Sequence, residues 1–285
     1  MTALIEARGL SKHYGRLPAL DSLNFEVQPG RIVGLIGRNG AGKTTLLKAL
    51  LGLTPCEGEL KVLGLDPARE RDALMQQVCF IADTAVLPHW LRVSQALDFV
   101  ASVHPRFERA RAEEFLKRTN IRRRSRIGEL SKGMVTELHL ALILAIDVRL
   151  LVLDEPTLGL DLIYRRQFYD TLLNDYLNKE RTILLTTHQV EEIEHLVTDM
   201  LIVDRGRLVL ACSTEEVATR FQMLRVAPDR LAAARSLGPL SERESLGRHY
   251  LLFEQRSAAD LAGLGEIGIP SLSDLFIARL QENAA

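Results

Sequence analysis

Gly37-Arg38-Asn39-Gly40-Ala41-Gly42-Lys43-Thr44 is the stretch that decides how the chain reads. It fits the phosphate-binding pattern G-x-x-x-x-G-K-[ST]. Residues 31–36 before it are a short apolar run of strand type, and residues 44–51 after it are helix formers. Strand, glycine turn and helix in that order are what the pattern requires. A triphosphate carries several negative charges that must be held without bulky side chains in the way. Gly37, Gly40 and Gly42 let the backbone curl and aim its N–H groups inward, with Asn39 and Ala41 completing the cradle. The helix that starts near Gly42 adds its positive dipole end. Lys43 reaches the β- and γ-phosphates as a point charge. The Thr44 hydroxyl is placed to ligate Mg²⁺, and Thr45 faces the α-phosphate.

Working outward, composition narrows the class. A chain of 285 residues suits one large domain plus a small one. Lys and Arg number 36 against 37 Asp and Glu, and this near-zero balance argues against nucleic acid as the main partner. No uninterrupted apolar run approaches the roughly 20 residues of a membrane span. Residues 1–8 contain Glu6 and no long apolar core, so they are not expected to be a signal peptide. Cys56, Cys79 and Cys212 are far apart and lack metal-ligand spacing, which suggests reduced thiols in a cytoplasmic protein.

Residues 4–8 and 24–27 alternate apolar and polar and read as strands, with Ser11-Lys12-His13-Tyr14-Gly15 between them. Further strands are expected at 58–62 and 78–82, the latter ending at Asp83. Residues 84–147 read as a helical insertion, rich in Arg, Glu and helix formers. Residues 150–153 are a continuous apolar strand that runs into Asp154 and Glu155. A helix is expected over 162–178 and a strand over 182–186. Residues 200–203 and 207–210 flank the turn Asp204-Arg205-Gly206 as a hairpin, and Ser213 is placed to cap the helix that follows. From Phe221 onward the chain reads as a small α/β appendage, with strands at 221–226 and 249–253 and helices at 231–237 and 272–281.

A second acidic element narrows the chemistry. Asp154 at the end of an apolar strand is the Walker B position, suited to hold Mg²⁺ through water. The next residue, Glu155, is placed where a carboxylate orients and polarises an attacking water.

With these elements in place, residues 3–220 resemble the nucleotide-binding subunit of ATP-binding cassette (ABC) transporters. Leu130-Ser131-Lys132-Gly133-Met134 resembles the family signature L-S-G-G-Q, Leu158-Gly159-Leu160-Asp161 its D-loop, and Thr186-Thr187-His188 its switch histidine. Tyr14 fits the aromatic that stacks on adenine. The resemblance implies an α/β P-loop NTPase cassette with a RecA-like core, an antiparallel β subdomain and a helical subdomain. Expected boundaries are 1–220 for the ATP-binding domain and 221–285 for a C-terminal accessory domain, whose closing helix is similar to that of many export-type cassettes. It implies that two identical subunits clamp two ATP molecules head to tail, each ATP lying between one P-loop and the other subunit's Ser131 and Gly133, with Asp161 at the contact. Glu155 and His188 would be catalytic; Thr44, Asp83 and Asp154 would hold Mg²⁺. The partner would be a separately encoded integral membrane permease, which would hold this cytoplasmic chain peripherally on the inner face of the cell membrane, with no nucleic acid expected. A soluble ABC ATPase acting on ribosomes or DNA is the rival, although tandem cassettes and coiled-coil inserts are missing from the sequence.

Three departures from the family pattern stand out. Lys132 takes the place of the second signature glycine, either adding charge near phosphate or pointing to solvent. Met134 takes the place of the glutamine. Asp83 occupies the Q-loop glutamine position; it accepts hydrogen bonds but has no amide N–H to donate. The basic run Arg122-Arg123-Arg124-Ser125-Arg126 reads as a solvated face, or as a contact to the opposite subunit's nucleotide or to anionic headgroups. Val86, Leu87 and Trp90 read as core or as the groove for a membrane-domain coupling helix.

Overall fold

The structure is a computed structural model and describes residues 2–81, 87–158, 160–176 and 181–283, the side chains of 175 and 176 excepted. In chain order, β1 (Ile5–Tyr14) and β2 (Leu17–Val27) lead into β3 (Ile32–Ile36), which feeds the glycine turn and α1 (Lys43–Leu50). There follow β4 (Glu57–Val62), α2 (Arg71–Met75) and β5 (Val78–Ile81). The helical insertion is α3 (Val93–Val103), α4 (Arg109–Lys117) and α5 (Lys132–Leu144). The chain returns to the sheet through β6 (Leu150–Asp154), α6 (Leu162–Thr171), β7 (Thr182–Thr187), α7 (Val190–Ile193), β8 (Asp199–Asp204) and β9 (Arg207–Ser213). The appendage is α8 (Thr214–Arg220), β10 (Phe221–Val226), α9 (Leu231–Ser236), β11 (Ser241–Ser245), β12 (Arg248–Glu254), β13 (Gly265–Gly268) and α10 (Leu272–Glu282).

The central sheet runs β5-β6-β7-β3-β8-β9. Its first five strands are parallel and β9 closes the edge antiparallel to β8. Alternate residues serve opposite faces, as the two-residue period of a strand demands. On one face Ile36, Leu151, Leu153, Ile183, Leu185 and Ile202 meet α5, α6, α7 and α10. On the other, Val33, Leu35, Val152, Leu184 and Val203 meet α1 and the antiparallel β2-β1-β4 sheet. Covering both faces is why these strands read as continuous apolar runs. The inserted helices bury a separate cluster that includes Val93, Leu97, Leu116 and Leu138.

β1 and β2 extend well beyond the alternating stretches at 4–8 and 24–27. Register shifts follow Ala7, Leu10 and Lys12, each resetting which side chains face inward. The alternation therefore breaks while the pairing continues, and Ser11 to Tyr14 lie in the strand rather than between strands. The helix expected over 162–178 is α-helical to Thr171 and then opens into a π-helical turn, Leu172–Tyr176; the end of the expected span lies outside the described residues.

In the appendage the antiparallel sheet β11-β12-β10-β13 packs Leu224, Leu251 and Phe253 against α9. α10 instead lies on the main core, where Leu272, Leu275 and Ala278 are buried. Each such leucine contributes on the order of 1.5–3 kcal/mol. Capping boxes start both flanking helices. The Ser213 hydroxyl accepts from Glu216 N and the Glu216 carboxylate accepts from Ser213 N, and Ser271 and Asp274 repeat the arrangement.

Candidate functional site

Three parallel strands end side by side. Register pairs Asp154 with Thr186 and Ile36 with Thr187, so the C-terminal ends of β6, β7 and β3 meet at one edge of the sheet. In open α/β sheets that edge is where ligands bind. It opens here into a cavity of about 910 Å³.

The glycine turn forms the floor. Gly40 (φ 81°) and Gly42 (φ 111°) adopt left-handed backbone that other residues rarely reach. A Cβ on Gly37 would lie 2.4 Å from the Val203 carbonyl oxygen, because the turn rests on the end of β8. Gly37→Ala is therefore expected to destabilise the fold by about 1–3 kcal/mol, measurable by urea unfolding. Asn39, Gly40, Gly42, Thr44 and Thr45 line the cavity, whereas Ala41 is buried beneath it.

Lys43 is 7% exposed. Its Nζ donates to Gly37 O at 2.6 Å and Arg38 O at 3.3 Å and stands 3.8 Å from Glu155 Oε1. Burial pushes its pKa below the usual lysine value, opposed by the negative Glu155 and Asp154. The ammonium thus sits where it has lost water and gained only part of a counter-charge.

The acidic pair is held by a hydroxyl that the sequence did not single out. Thr186 Oγ1 donates to Asp154 Oδ1 at 2.5 Å and accepts from Glu155 N at 3.0 Å. Glu155 has φ 47°, a left-handed conformation that is uncommon outside glycine and clusters at functional sites. Its Oε1 lies 2.9 Å from His188 Nδ1. Asp154, Glu155 and His188 all face the cavity together with Lys43. Tyr14, 50% exposed, lines the far wall with Leu17, Pro18 and Ala19, and Lys12 Nζ stands 5.3 Å from its ring centroid. Thr44 and Asp154 offer a hydroxyl and a carboxylate, hard oxygen donors suited to an octahedral cation that keeps most of its other ligands from phosphate and water.

Ser131, Gly133 and Asp161 lie elsewhere. Ser131 is the N-cap of α5, its Oγ accepting from Met134 N at 3.2 Å, and it is exposed away from the cavity. Gly133 lies under the ring of Tyr164, whose nearest atom would be 2.1 Å from an added Cβ. Lys132 is exposed and Met134 packs against the helical-insertion core. Asp161 caps α6, its Oδ1 accepting from Ile163 N and Tyr164 N. Leu87 packs against the helical core while Trp90 is 71% exposed. Arg123 pairs with Glu113, and Arg122, Arg124 and Arg126 are exposed. Asp83, Val86 and Gly159 lie outside the described residues.

The ABC transporter family model matches residues 20–158. The Nod factor export ATP-binding protein I of Cupriavidus metallidurans is 34% identical over 280 residues, covering 92% of this chain and 89% of that protein. This chain belongs to the ABC transporter ATP-binding family. The daunorubicin resistance ATP-binding protein DrrA3 from Streptomyces coeruleorubidus is 34% identical over 248 residues, 83% of this chain and 78% of that one. Among solved structures, an ATP-binding subunit of an ABC transporter superposes with a TM-score of 0.66 at 27% identity, over 76% of this chain and 92% of that chain. A nucleotide-free ATP-binding cassette reaches the same TM-score at 20% identity, a likeness of fold. The protein is thus an ATP-binding and ATP-hydrolysing ABC transporter subunit, and no helix among the described residues is long and apolar enough to cross a membrane.

Proposed function

We propose that this chain is the motor of an exporter: two copies close head to tail over two ATP molecules and drive a separately encoded membrane-spanning subunit. One observation carries the reading. The cavity holds the phosphate loop, the acidic pair and His188, while Ser131 sits exposed at the start of α5 outside it, with Gly133 buried two residues on. A second copy turned head to tail would supply those groups, and α5 would bring its N-terminal dipole toward the γ-phosphate. Asp161, at the start of α6, would sit at the contact.

In each half-site the N–H groups of Gly40, Ala41 and Gly42 and the Lys43 ammonium would hold the phosphates, Thr45 would face the α-phosphate, and Tyr14 would stack on adenine. Magnesium, held by Thr44 and Asp154 and, on the family pattern, by Asp83, would neutralise charge developing on the transferred phosphoryl group. The Glu155 carboxylate accepts a proton from the attacking water as that water's oxygen bonds to the γ-phosphorus. The bond to the β,γ-bridging oxygen then breaks, leaving ADP and phosphate. His188, hydrogen-bonded to that carboxylate through Nδ1, fixes its direction and lies where it would meet the γ-phosphate. Thr186 is a positioning residue for the pair. Thr186→Val, which keeps the shape and removes the hydroxyl, is expected to lower turnover about 10- to 100-fold with little change in ATP affinity, as read by single-turnover and titration assays.

Export is the direction borne in the name of the Nod factor export relative. The chain would work on the cytoplasmic side, reaching the membrane through its permease, and cargo would be chosen by that permease. The test is light scattering with ATP and Mg²⁺. Wild-type chain should double its mass, and Ser131→Arg, which places bulk and charge at the helix start, should stay monomeric. A Ser131→Arg chain that dimerises as wild type does would reject the head-to-tail arrangement. Copurification with ribosomes or DNA and no integral membrane protein would reject the exporter reading.

A further inference from the structure

We propose that Arg205 is a further nucleotide-contacting residue and that the end of the C-terminal helix sets its position, coupling the accessory unit to the ATP cavity. The inference rests on the cavity being the nucleotide site.

Arg205 lines the cavity from the turn between β8 and β9. That turn is tied to the phosphate loop at several points. Gly206 N donates to Ala41 O at 2.8 Å, and Gly206 O accepts from Asp21 N at 2.8 Å. The Val203 carbonyl is the atom that excludes a Cβ at Gly37, and Ala19 O lies close to both Gly42 and Gly206. Arg205 and Gly206 have φ 48° and 79°, a tight turn in left-handed backbone. Its side chain is 70% exposed and Asp204 Oδ2 stands 3.9 Å from its Nε. A cation on the cavity wall beside Gly42, with so distant a carboxylate, is suited to a nucleotide phosphate.

The same turn is held from behind. Asp204 is 7% exposed, and Asn283 Nδ2 donates to its Oδ2 at 2.9 Å. Asn283 N in turn donates to Arg279 O, so the amide rides on the last turn of α10. Arg279 is clamped to Glu254 at 2.7 Å, Arg220 reaches the same carboxylate, and both guanidinium groups lie over the Phe221 ring. A continuous series of contacts therefore joins the appendage sheet, the end of α10, Asp204 and the cavity. Coupling through such a series is reciprocal: what strengthens docking of α10 strengthens nucleotide binding, and the converse.

The experiment titrates ATP into the full chain, with Lys43→Ala as the control for the cavity itself. Arg205→Ala is expected to raise Kd about tenfold, with Arg205→Lys recovering most of it and with adenosine affinity unchanged. Asn283→Asp, which sets a second carboxylate against buried Asp204, is expected to raise Kd roughly fivefold while thermal unfolding shows a folded chain. In wild type, ATP should slow amide exchange at the end of α10, and in Asn283→Asp it should not. If wild type binds ATP and Lys43→Ala does not, yet Arg205→Ala and Asn283→Asp both stay within about twofold of wild type, the proposal is overturned and the nucleotide site stands. Loss in Arg205→Ala alone would overturn the coupling and keep the contact. If wild type itself fails to bind ATP, the reading of the cavity falls first.

Discussion

Glu155→Gln should bind ATP about as tightly as wild type and hydrolyse it at least about a hundredfold more slowly, the range a positioned general base supplies. The substitution changes one oxygen for an amide and leaves the shape. The backbone N–H to Thr186 survives, so the left-handed turn at residue 155 should survive as well. His188 loses a carboxylate at 2.9 Å and gains an amide whose oxygen can still accept from Nδ1. What disappears is the capacity to take a proton. Removing the negative charge also relieves repulsion with incoming phosphates, so the variant should accumulate as the ATP-bound dimer in light scattering. A variant that releases phosphate at the wild-type rate would sink the assignment.

Lys43→Ala should raise the Kd for ATP by at least about a hundredfold, since two charge-assisted hydrogen bonds to phosphate are each worth roughly 1.5–3 kcal/mol. The buried ammonium is held by two loop carbonyls that a triphosphate would outcompete. Its pKa is depressed by burial in the free chain and would be raised by an adjacent polyanion. The bound form therefore holds its proton more tightly than the free form. Affinity should be full at pH values below the free-state pKa and should fall as pH rises through it. Calorimetric titration across pH reads this directly, and an affinity with no such fall would argue against a Lys43–phosphate contact.

The phosphate loop was legible because each residue type in it is forced: glycines where φ is positive or a carbonyl is within 3 Å of a would-be Cβ, and a lysine at the helix start. The acidic pair was legible because an apolar strand points at it. Thr186 was not, since a threonine at a strand end has ordinary β propensity, and only the register of β6 against β7 puts its hydroxyl beside Asp154. Arg205 left no mark either, as one of many arginines in a turn. The edge strands of the appendage escaped for opposite reasons. β11 reads Ser-Glu-Arg-Glu-Ser with no apolar face, the charged manner in which a sheet edge resists pairing with another chain. β13 has glycine at both ends, which reads as a turn. The full length of the β1–β2 ribbon was not legible because its bulges interrupt the two-residue period.

The ring of Tyr164 pressed on Gly133 makes those two positions a single unit of inheritance. A side chain at 133 is open only to a descendant that first gives up the aromatic at 164, and restoring the ring later would demand the glycine back. Relatives with an aromatic at 164 should therefore all carry glycine at 133, with the pair of larger residue and intact ring missing.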